Sequence, residues 1–316
     1  MLVSLVVPIF NEEQNLHRLY QELATVLARA GFEAEILCID DGSRDRSFAI
    51  LQELAAADRR LKVIRLRRNF GQTAAMAAGF DAAQGEVIIP LDADLQNDPA
   101  DIPRLLAKLD EGFDIVSGWR KDRQDRMLSR RLPSVLANGL ISRMTGVALH
   151  DYGCTLKAYR REVLERINLY GELHRFVPAL ASQVGARVAE IPVNHRSRQA
   201  GESKYGIDRT LRVILDLITV KFLLNYSTRP MQLFGKWGFL TLAAAGLSGL
   251  LTLYMKWFEQ LPMNRNPLLI LTAFLLFSGI QFIVLGLVAE LVTRTYHEVQ
   301  DKPIYTIRET INMEKP

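Results

Sequence analysis

The chain has 316 residues, 49% of them hydrophobic, and a formal net charge of +4. This length suits one large domain or two unequal units, and the absence of an aromatic-interleaved basic stretch or a helix-turn-helix pattern argues against nucleic acid as a partner. Two cysteines without metal-ligand spacing, Cys38 and Cys154, indicate free thiols in a reducing compartment.

Short apolar strands alternate with helices through the first half of the chain, which predicts an α/β fold with a mostly parallel sheet. The predicted strands are Val3–Val7, Glu35–Ile39, Lys62–Leu66, Glu86–Leu91, Asp114–Gly118 and Glu190–Asn194. The predicted helices are about Asn11–Arg29, Asp45–Asp58, Gly71–Ala83 and Asp101–Leu109, with helix-like patterns at 132–145 and 160–166 on either side of a loop at His150–Lys157.

The last third of the chain contains two long runs without a charged residue, Trp237–Met255 and Asn266–Ala289. A membrane-spanning helix needs about 20 mainly apolar residues, so two spans are favoured over two buried core helices. Before them, Ile207–Tyr226 has one apolar face, which predicts an amphipathic helix at the membrane interface, with a core helix as the alternative. The polar tail that follows carries a strand-like piece, Ile304–Ile307, suited to pairing with a neighbouring subunit.

Basic residues are more frequent on the outer ends of the two apolar runs than between them. The outer residues are Arg209, Arg212, Lys221, Arg229, Lys236, Arg294, Lys302 and Arg308, against Lys256 and Arg265 in the connection. The positive-inside tendency therefore predicts that the globular part and both termini are cytoplasmic. Further basic clusters at 120–131 and 196–204 suit phosphate groups or an anionic membrane surface.

Acidic residues follow two of the predicted strands, as Asp40-Asp41 and as Asp92-Ala-Asp94. Ligands bind beyond the carboxyl ends of the strands in such sheets, so both clusters indicate one site. Asp40 and Asp41 suit hydrogen bonds to a ribose or a base, and Asn11 follows the first strand on the same edge.

Neighbouring carboxylates raise each other's pKa unless a cation compensates. Asp92 and Asp94 can hold a divalent cation together with diphosphate oxygens, and Gln96 can add a neutral oxygen ligand. The alternative is a turn that caps the helix near Pro99. Asp98 is expected to belong to that turn and not to the site.

Six motifs occur in one order and together resemble the inverting glycosyltransferases of family 2, specifically the polyprenyl-phosphate glycosyltransferases. They are Val-Val-Pro-Ile-Phe-Asn-Glu-Glu (6–13), Ile-Asp-Asp-Gly-Ser-Arg-Asp (39–45), Arg-Asn-Phe-Gly-Gln (68–72), Leu-Asp-Ala-Asp-Leu-Gln (91–96), Asp-Tyr-Gly-Cys-Thr-Leu-Lys (151–157) and Gly-Glu-Ser-Lys-Tyr (201–205). This group includes dolichol-phosphate mannose synthases, bacterial undecaprenyl-phosphate glucosyltransferases and an aminoarabinose transferase.

The resemblance implies a metal-dependent, inverting transfer of a hexose, glucose favoured, from a UDP-sugar to undecaprenyl phosphate at the cytoplasmic face of the bacterial inner membrane. The implied domains are a GT-A type domain at 1–206, an amphipathic juxtamembrane segment at 207–232, a two-helix transmembrane hairpin at 233–292 and a cytoplasmic tail at 293–316. The related bacterial proteins also favour a homotetramer.

The resemblance further implies site residues, position by position. Those lining the donor nucleotide and sugar are Pro8, Phe10, Asn11, Glu12, Asp41 and Gln72. Those around Mg²⁺ or Mn²⁺ and the diphosphate are Asp92, Asp94 and Gln96, under a lid loop that carries Arg198, Ser203 and Lys204. Those for the acceptor phosphate are Arg120, Arg131, Ser134 and Asn138. Asp151 and Arg175 would lie near the reacting centre. Asp151 would act as a base or, as is favoured, as an orienting group, and Arg175 would contact the sugar or a phosphate.

Several alternatives remain open within and outside this family. A GDP-mannose or an aminoarabinose-type transferase is the first, although Gly71-Gln72 resembles the UDP-using members and the aminoarabinose branch carries Ser-Thr-Phe where this chain has His174-Arg175-Phe176. A processive polysaccharide synthase is not favoured, because it would need a Gln-x-x-Arg-Trp type motif and more spans, and neither is present in the sequence. A non-catalytic membrane scaffold would bind nucleotide without turnover.

Overall fold

The computed structural model of the chain describes residues 1–29, 31–121, 138–139, 142, 145–167, 173–183, 185–196, 230–299 and 303–313. These residues fall into two units, one within Met1–Val220 together with Pro303–Pro316, and one within Lys221–Lys302. The amphipathic helix predicted at Ile207–Tyr226, and most of the helix-like pattern at 132–145, lie outside the described residues.

The first unit is built on an eight-stranded sheet. Its strands are β1 (Leu2–Ile9), β2 (Glu33–Asp40), β3 (Leu61–Leu66), β4 (Val87–Pro90), β5 (Ile115–Trp119), β6 (Lys157–Arg160), β7 (Val188–Pro192) and β8 (Ile307–Ile311). They lie in the order β7-β5-β6-β4-β1-β2-β3-β8. β1 runs parallel to β2 and β4, and β2 parallel to β3, whereas β6 and β8 run antiparallel to their neighbours. The mostly parallel sheet is confirmed, and β4, β1 and β2 end at the same edge.

Helices cover the sheet with their apolar faces. They are α1 (Leu16–Arg29), α2 (Ser47–Ala57), α3 (Gln72–Ala82), α4 (Ile102–Asp110), α5 (Arg161–Leu164) and α6 (Val177–Gln183), with 3-10 turns at Pro99–Asp101 and Leu173–Arg175. In α1 the leucines at positions 16, 19, 23 and 27 are buried, which is the spacing of one helical face. Each such side chain contributes about 1.5–3 kcal/mol relative to an exposed one. Burial of this face fixes α1 against the sheet.

The first predicted helix begins later than expected. Asn11 takes a left-handed backbone conformation, with φ of +55°, and its side-chain oxygen accepts the N–H of Arg44 at 2.8 Å. The N–H of Asn15 then donates to the carbonyl of Glu12 at 2.9 Å, closing a turn. Residues 11–15 therefore form a turn that is tied to the neighbouring loop, and α1 starts at Leu16.

Two strands differ from the sequence prediction. β6 was not predicted as a strand; it begins at Lys157, the last residue of the expected loop at His150–Lys157, and Lys157 is buried in spite of its charge. The C-terminal strand is Ile307–Ile311 and not Ile304–Ile307, and it pairs with β3 of the same chain, where a neighbouring subunit was expected. In addition, Asn312 donates to the carbonyls of Ala55 and Leu61 at 2.7 and 2.9 Å, which ties the tail to the first unit.

The second unit is a pair of long helices, α7 (Pro230–Phe258) and α8 (Pro267–Val299). Leu233–Phe258 and Pro267–Ala289 are long and apolar enough to cross a membrane, and most of their side chains are exposed, unlike those of core helices. The helices approach closely at two glycines, because a Cβ on Gly238 would lie 2.7 Å from Ile283 and one on Gly279 would lie 2.7 Å from Leu242. Small residues at such crossings are typical of helices that pack in lipid.

Candidate active site

The N-terminus of α3 lies between the two acidic strand ends. The backbone N–H groups of Phe70 and Gly71 donate to the two carboxylate oxygens of Asp41 at 2.7 and 2.9 Å, and the side-chain amide of Gln72 donates to Asp92 at 2.9 Å. Burial raises the pKa of Asp41, although these two backbone bonds oppose the shift. The acids that follow β2 and β4 thus converge on one helix N-terminus, the end of a helix that favours negative charge.

The loops after β1 and β2 are joined by reciprocal hydrogen bonds. The backbone N–H of Asn11 donates to Ser43 Oγ at 3.0 Å, and the side-chain oxygen of Asn11 accepts the N–H of Arg44. The N–H of Glu12 donates to Ser47 Oγ at 2.9 Å. The predicted nucleotide-binding residues that this edge brings together are Pro8, Phe10, Asn11, Glu12 and Asp41.

Gly42 lets these loops approach the segment after β3. Its φ is +68°, and a Cβ there would lie 2.6 Å from the backbone carbonyl carbon of Arg68. Only glycine fits both the left-handed backbone and the close contact. Gly42 therefore fixes the path of the chain directly beside Asp41.

Asp92 and Asp94 form an acidic pair after β4. Asp92 is partly buried and accepts a second hydrogen bond, from Thr155 Oγ1, at 2.6 Å. Burial, and next the charge of Asp94, raise the pKa of Asp92 to about 6. Leu95 has a φ of +63°, a left-handed conformation that costs a non-glycine residue about 1 kcal/mol or more. Strain and charge repulsion are therefore concentrated in this one loop.

A divalent cation would relieve the repulsion between these carboxylates. Gln96, the third predicted ligand, donates its backbone N–H to Asp94 at 3.2 Å and its side-chain amide to the carbonyl of Arg196 at 3.5 Å. Within the described ranges, no group of three or more His, Cys, Asp or Glu side chains is arranged to hold a metal ion. Asp92 and Asp94 thus fit a cation that takes further oxygen ligands from a bound diphosphate.

Asp98 serves the structure of the loop and not its chemistry. Its carboxylate caps the 3-10 turn by accepting the N–H of Ala100 at 3.0 Å, and it pairs with Arg196 at 2.7 Å. Arg196 also pairs with Glu22 of α1 at 2.5 Å. The expectation that Asp98 belongs to the turn is confirmed.

Arg120 and Asp151 form a bidentate ion pair at the ends of β5 and the loop before β6. Nε of Arg120 lies 2.7 Å from Oδ2, and Nη2 lies 3.0 Å from Oδ1. Burial lowers the pKa of Arg120, but the hydrogen bonds to Asp151 and the negative charges around the guanidinium, Asp151 and Asp92 among them, together raise it. The side chain of Asn138 donates to the carbonyl of His150 at 2.7 Å. Three predicted site residues therefore meet at one turn.

Sequence reasoning missed two residues that follow Asp151: Thr155, in the loop before β6, and Lys157, the first residue of β6. The ammonium group of Lys157 donates to the carbonyls of Tyr152, at 3.3 Å, and Cys154 inside the protein, and burial lowers its pKa. This closes the loop and leaves Thr155 directed at Asp92. Both residues belong to the motif at 151–157, which could have drawn attention to them. The motif does not indicate which residue each side chain contacts.

Arg175 is brought to the start of α3 by its neighbour. Nδ1 of the buried His174 lies 2.7 Å from the hydroxyl of Thr73, and Nε of Arg175 donates to Nε2 of His174 at 3.4 Å. Since Thr73 follows Gln72, which contacts Asp92, the 3-10 turn that carries Arg175 lies beside the start of α3. The remaining predicted site residues, Arg131, Ser134, Arg198, Ser203 and Lys204, lie outside the described residues.

Residues 4–167 match the family model for glycosyl transferase family 2, which is just over half of the chain. The chain belongs to this family. The matched range contains both acidic strand ends, the start of α3 and the Arg120–Asp151 pair, so it includes most of the described site. This family 2 transferase is therefore an enzyme that transfers a sugar.

Two curated relatives align with the transferase along almost its whole length. The dodecaprenyl-phosphate galacturonate synthase of Rhizobium johnstonii is 42% identical over 97% of this chain and 92% of the relative. The undecaprenyl-phosphate 4-deoxy-4-formamido-L-arabinose transferase of Edwardsiella ictaluri is 39% identical over 99% of this chain and 95% of the relative. These alignments extend through both apolar helices, beyond the range of the family model.

Among solved structures, the transferase resembles glucosyl-3-phosphoglycerate synthase of Mycobacterium tuberculosis in complex with Mn²⁺ and UDP-glucose. The TM-score is 0.55 at 17% identity, over 70% of this chain and 77% of that one. At this identity the likeness shows the fold, and it confirms the predicted GT-A architecture.

Proposed function

We propose that the transferase moves a sugar from a UDP-linked donor to a polyprenyl phosphate, with inversion at the anomeric carbon. An oxygen of the acceptor phosphate bonds to that carbon while the bond from the carbon to the β-phosphate of the donor breaks, and UDP leaves. The observation that carries the proposal is the convergence of Asp41 and Asp92 on the start of α3, since it makes one site of the two acidic strand ends.

On the donor side, the interlocked loops after β1 and β2 would receive the nucleotide. Asn11, Glu12 and Asp41 lie at the carboxyl ends of adjacent parallel strands, where ligands bind in α/β sheets. Pro8 and Phe10 complete this surface. The base is taken as uracil because Gly71-Gln72 resembles the UDP-using members of the family.

Mg²⁺ or Mn²⁺ would be held by Asp92 and Asp94, with Gln96 as a further oxygen ligand. When bound, the cation supplies positive charge against the negative charge that develops on the departing diphosphate. The contacts from Gln72 and Thr155 to Asp92 keep its carboxylate in place before any ligand binds. The lid residues Arg198, Ser203 and Lys204 are proposed to add cationic contacts to the same diphosphate.

On the acceptor side, Arg120 would bind the lipid phosphate together with Asn138, Arg131 and Ser134. A phosphate monoester has a second pKa of about 6, so it is largely dianionic near neutral pH and needs no strong base. Asp151 is engaged by two N–H groups of Arg120, which suits an orienting role better than proton removal. We therefore assign Asp151 to holding Arg120.

For the donor sugar, we propose a hexuronic acid ahead of glucose. The 42% identical relative is named for galacturonate, and a uronic acid carries a carboxylate that a guanidinium binds in bidentate geometry. Arg175, positioned through His174 and Thr73, is the candidate partner of that carboxylate. Glucose, favoured on sequence, is the second candidate, and formamido-arabinose, for which the 39% identical relative is named, is the third.

We propose that α7 and α8 anchor the enzyme as a two-span hairpin in the bacterial inner membrane, with the sheet and both termini on the cytoplasmic face. β8 follows α8 and pairs with β3, so both connections of the hairpin lead back to the sheet. That arrangement supports a topology with both hairpin ends on one side. The homotetramer favoured by the resemblance stays a prediction, which cross-linking in membranes can test.

The test is a donor panel with the purified full-length enzyme, undecaprenyl phosphate and Mg²⁺ or Mn²⁺. The donors are UDP-galacturonate, UDP-glucose, UDP-4-deoxy-4-formamido-L-arabinose and GDP-mannose, and the lipid product is identified by mass spectrometry. We expect a lipid-linked uronic acid and expect Arg175→Met to lose this donor selectively. Product from another donor alone would refute the uronic acid, and no lipid product from any donor would refute the transfer itself.

A further inference from the structure

Glu190 lies on β7, the edge strand, and its carboxylate reaches the turn that carries Asp151. Oε1 accepts the backbone N–H groups of His150 and Asp151 at 3.0 and 3.1 Å. Oε2 lies 3.1 Å from the same His150 N–H and 2.7 Å from His150 Nδ1. The side chain of Glu190 is only 11% exposed. One carboxylate thus holds two successive backbone donors and a ring nitrogen of a single turn.

This turn determines where the guanidinium of Arg120 points. An arginine has five N–H donors, and Asp151 takes two of them in the bidentate pair, so the position of Asp151 fixes the plane of the guanidinium. The ring of His150 also stacks on Trp119, the residue before Arg120, with centroids 4.3 Å apart. The turn and the end of β5 are therefore joined at two points, one ionic and one aromatic.

We propose that Glu190 is a positioning residue for the acceptor side of the site. It holds the His150–Asp151 turn so that Asp151 presents Arg120 to the phosphate of the lipid acceptor. The inference rests on the proposed function, because it assigns Arg120 to the acceptor. It concerns that side specifically, since β7 lies five strands from β2, whose end carries Asp41.

The inference separates acceptor binding from donor binding. Loss of a hydrogen bond to a charged group weakens the interaction by a factor of about ten or more. Replacing Glu190 is therefore expected to raise the KM for polyprenyl phosphate, because the guanidinium of Arg120 is no longer held in one plane. The affinity for UDP with Mn²⁺ is expected to stay within about twofold, because the Asp41 and Asp92 contacts to α3 do not involve β7.

The matched control is Glu35, a buried carboxylate that also holds a turn. It accepts the N–H of Gln84 at 2.7 Å and the hydroxyl of Ser4 at 2.5 Å, and it pairs with Lys62. Glu35 lies near the start of β2, at the opposite edge of the sheet from the acidic strand ends. Glu35→Gln is expected to lower the melting temperature and leave both substrates unaffected.

The experiment measures KM for undecaprenyl phosphate, kcat, UDP affinity by calorimetry and melting temperature for the full-length enzyme and for Glu190→Gln, Glu190→Ala and Glu35→Gln. Glu190→Gln keeps the shape of the side chain, so it remains informative if Glu190→Ala does not fold. We expect the acceptor KM to rise about tenfold in the Glu190 variants with UDP affinity retained. An unchanged acceptor KM with a lowered melting temperature, as expected for Glu35→Gln, would overturn the inference alone. A wild-type enzyme that transfers no sugar to a lipid phosphate would overturn the proposed function, and the inference with it.

Discussion

Replacing Asp92 by asparagine should stabilise the protein while removing its activity. The substitution deletes a desolvated charge that Asp94 repels, and the amide can keep both hydrogen bonds, since Thr155 can still donate to the amide oxygen while the side chain of Gln72 turns over and accepts from the amide NH2 group. The change is therefore one of charge at nearly constant shape. With a chelator present, the difference in folding stability between Asp92→Asn and the wild type therefore gives the cost of holding two carboxylates in this loop.

The magnitude follows from the pKa of Asp92. An ordinary aspartate titrates at 3.8 and Asp92 at about 6, a gap that corresponds to about 3 kcal/mol of folding free energy. Because the folded state favours the protonated acid, the penalty begins above the ordinary pKa, grows as pH rises and is complete above about pH 7. After the cost of burying an amide, we expect Asp92→Asn to gain about 1–3 kcal/mol at pH 8 and about half of that at pH 5.

The assay is the melting temperature of the detergent-purified enzyme at pH 5 and pH 8 with a chelator, where about 1 kcal/mol corresponds to about 2–4 °C. Asp110→Asn, an exposed aspartate of α4, is the matched control and should change little. Adding Mn²⁺ and UDP should then stabilise the wild type more than Asp92→Asn. A variant less stable than the wild type at pH 8, or a gain that does not depend on pH, would refute the reasoning.

Three further substitutions test other parts of the structure. Gly42→Ala should destabilise the first unit by about 2 kcal/mol or more, because its Cβ would meet the backbone of Arg68, whereas Gly146→Ala, with a φ of +77° and open space, should cost about 1 kcal/mol by the same thermal assay. Asn312→Ala removes two hydrogen bonds that hold the tail and should cost about 1–3 kcal/mol and speed proteolysis at 303–313; a wild-type digestion pattern would contradict the pairing of β8. Thr155→Val should lower turnover about tenfold through loss of the bond to Asp92, and Thr155→Ser should restore it; equal rates for the two variants would speak against this role.

Local pattern predicted the elements whose residues carry a strong apolar signal. β1, β2 and β3 and helices α1 to α4 appear within a few residues of the expected bounds, since buried strands are apolar throughout and α1 and α4 have one apolar face. The sequence also predicted that Asp41 and Asp92 lie at the same edge of the sheet, because parallel strands have their carboxyl ends at one edge. The start of α1 was wrong because Asn11 is bound to a loop 33 residues away in sequence, at Arg44.

The rest depends on specific contacts, local or long-range, that leave no periodic signal in the sequence. β6 begins with Lys157, a charge that argues against a buried strand until the carbonyls of Tyr152 and Cys154 accept its ammonium group. β8 is an exposed edge strand, so its register is set by β3 and not by its own composition. For the same reason, the motifs located Asp151 but gave no indication of Glu190, which lies 39 residues further along the chain.

The most direct test of the account is transfer of sugar from a UDP-linked donor to undecaprenyl phosphate, followed by the anomeric configuration of the lipid product. We expect a product with wild-type enzyme and Mg²⁺ or Mn²⁺, inverted relative to the donor, and a loss of at least about a hundredfold in rate for Asp94→Asn. A product with retained configuration, or a rate for Asp94→Asn equal to that of the wild type, would contradict it.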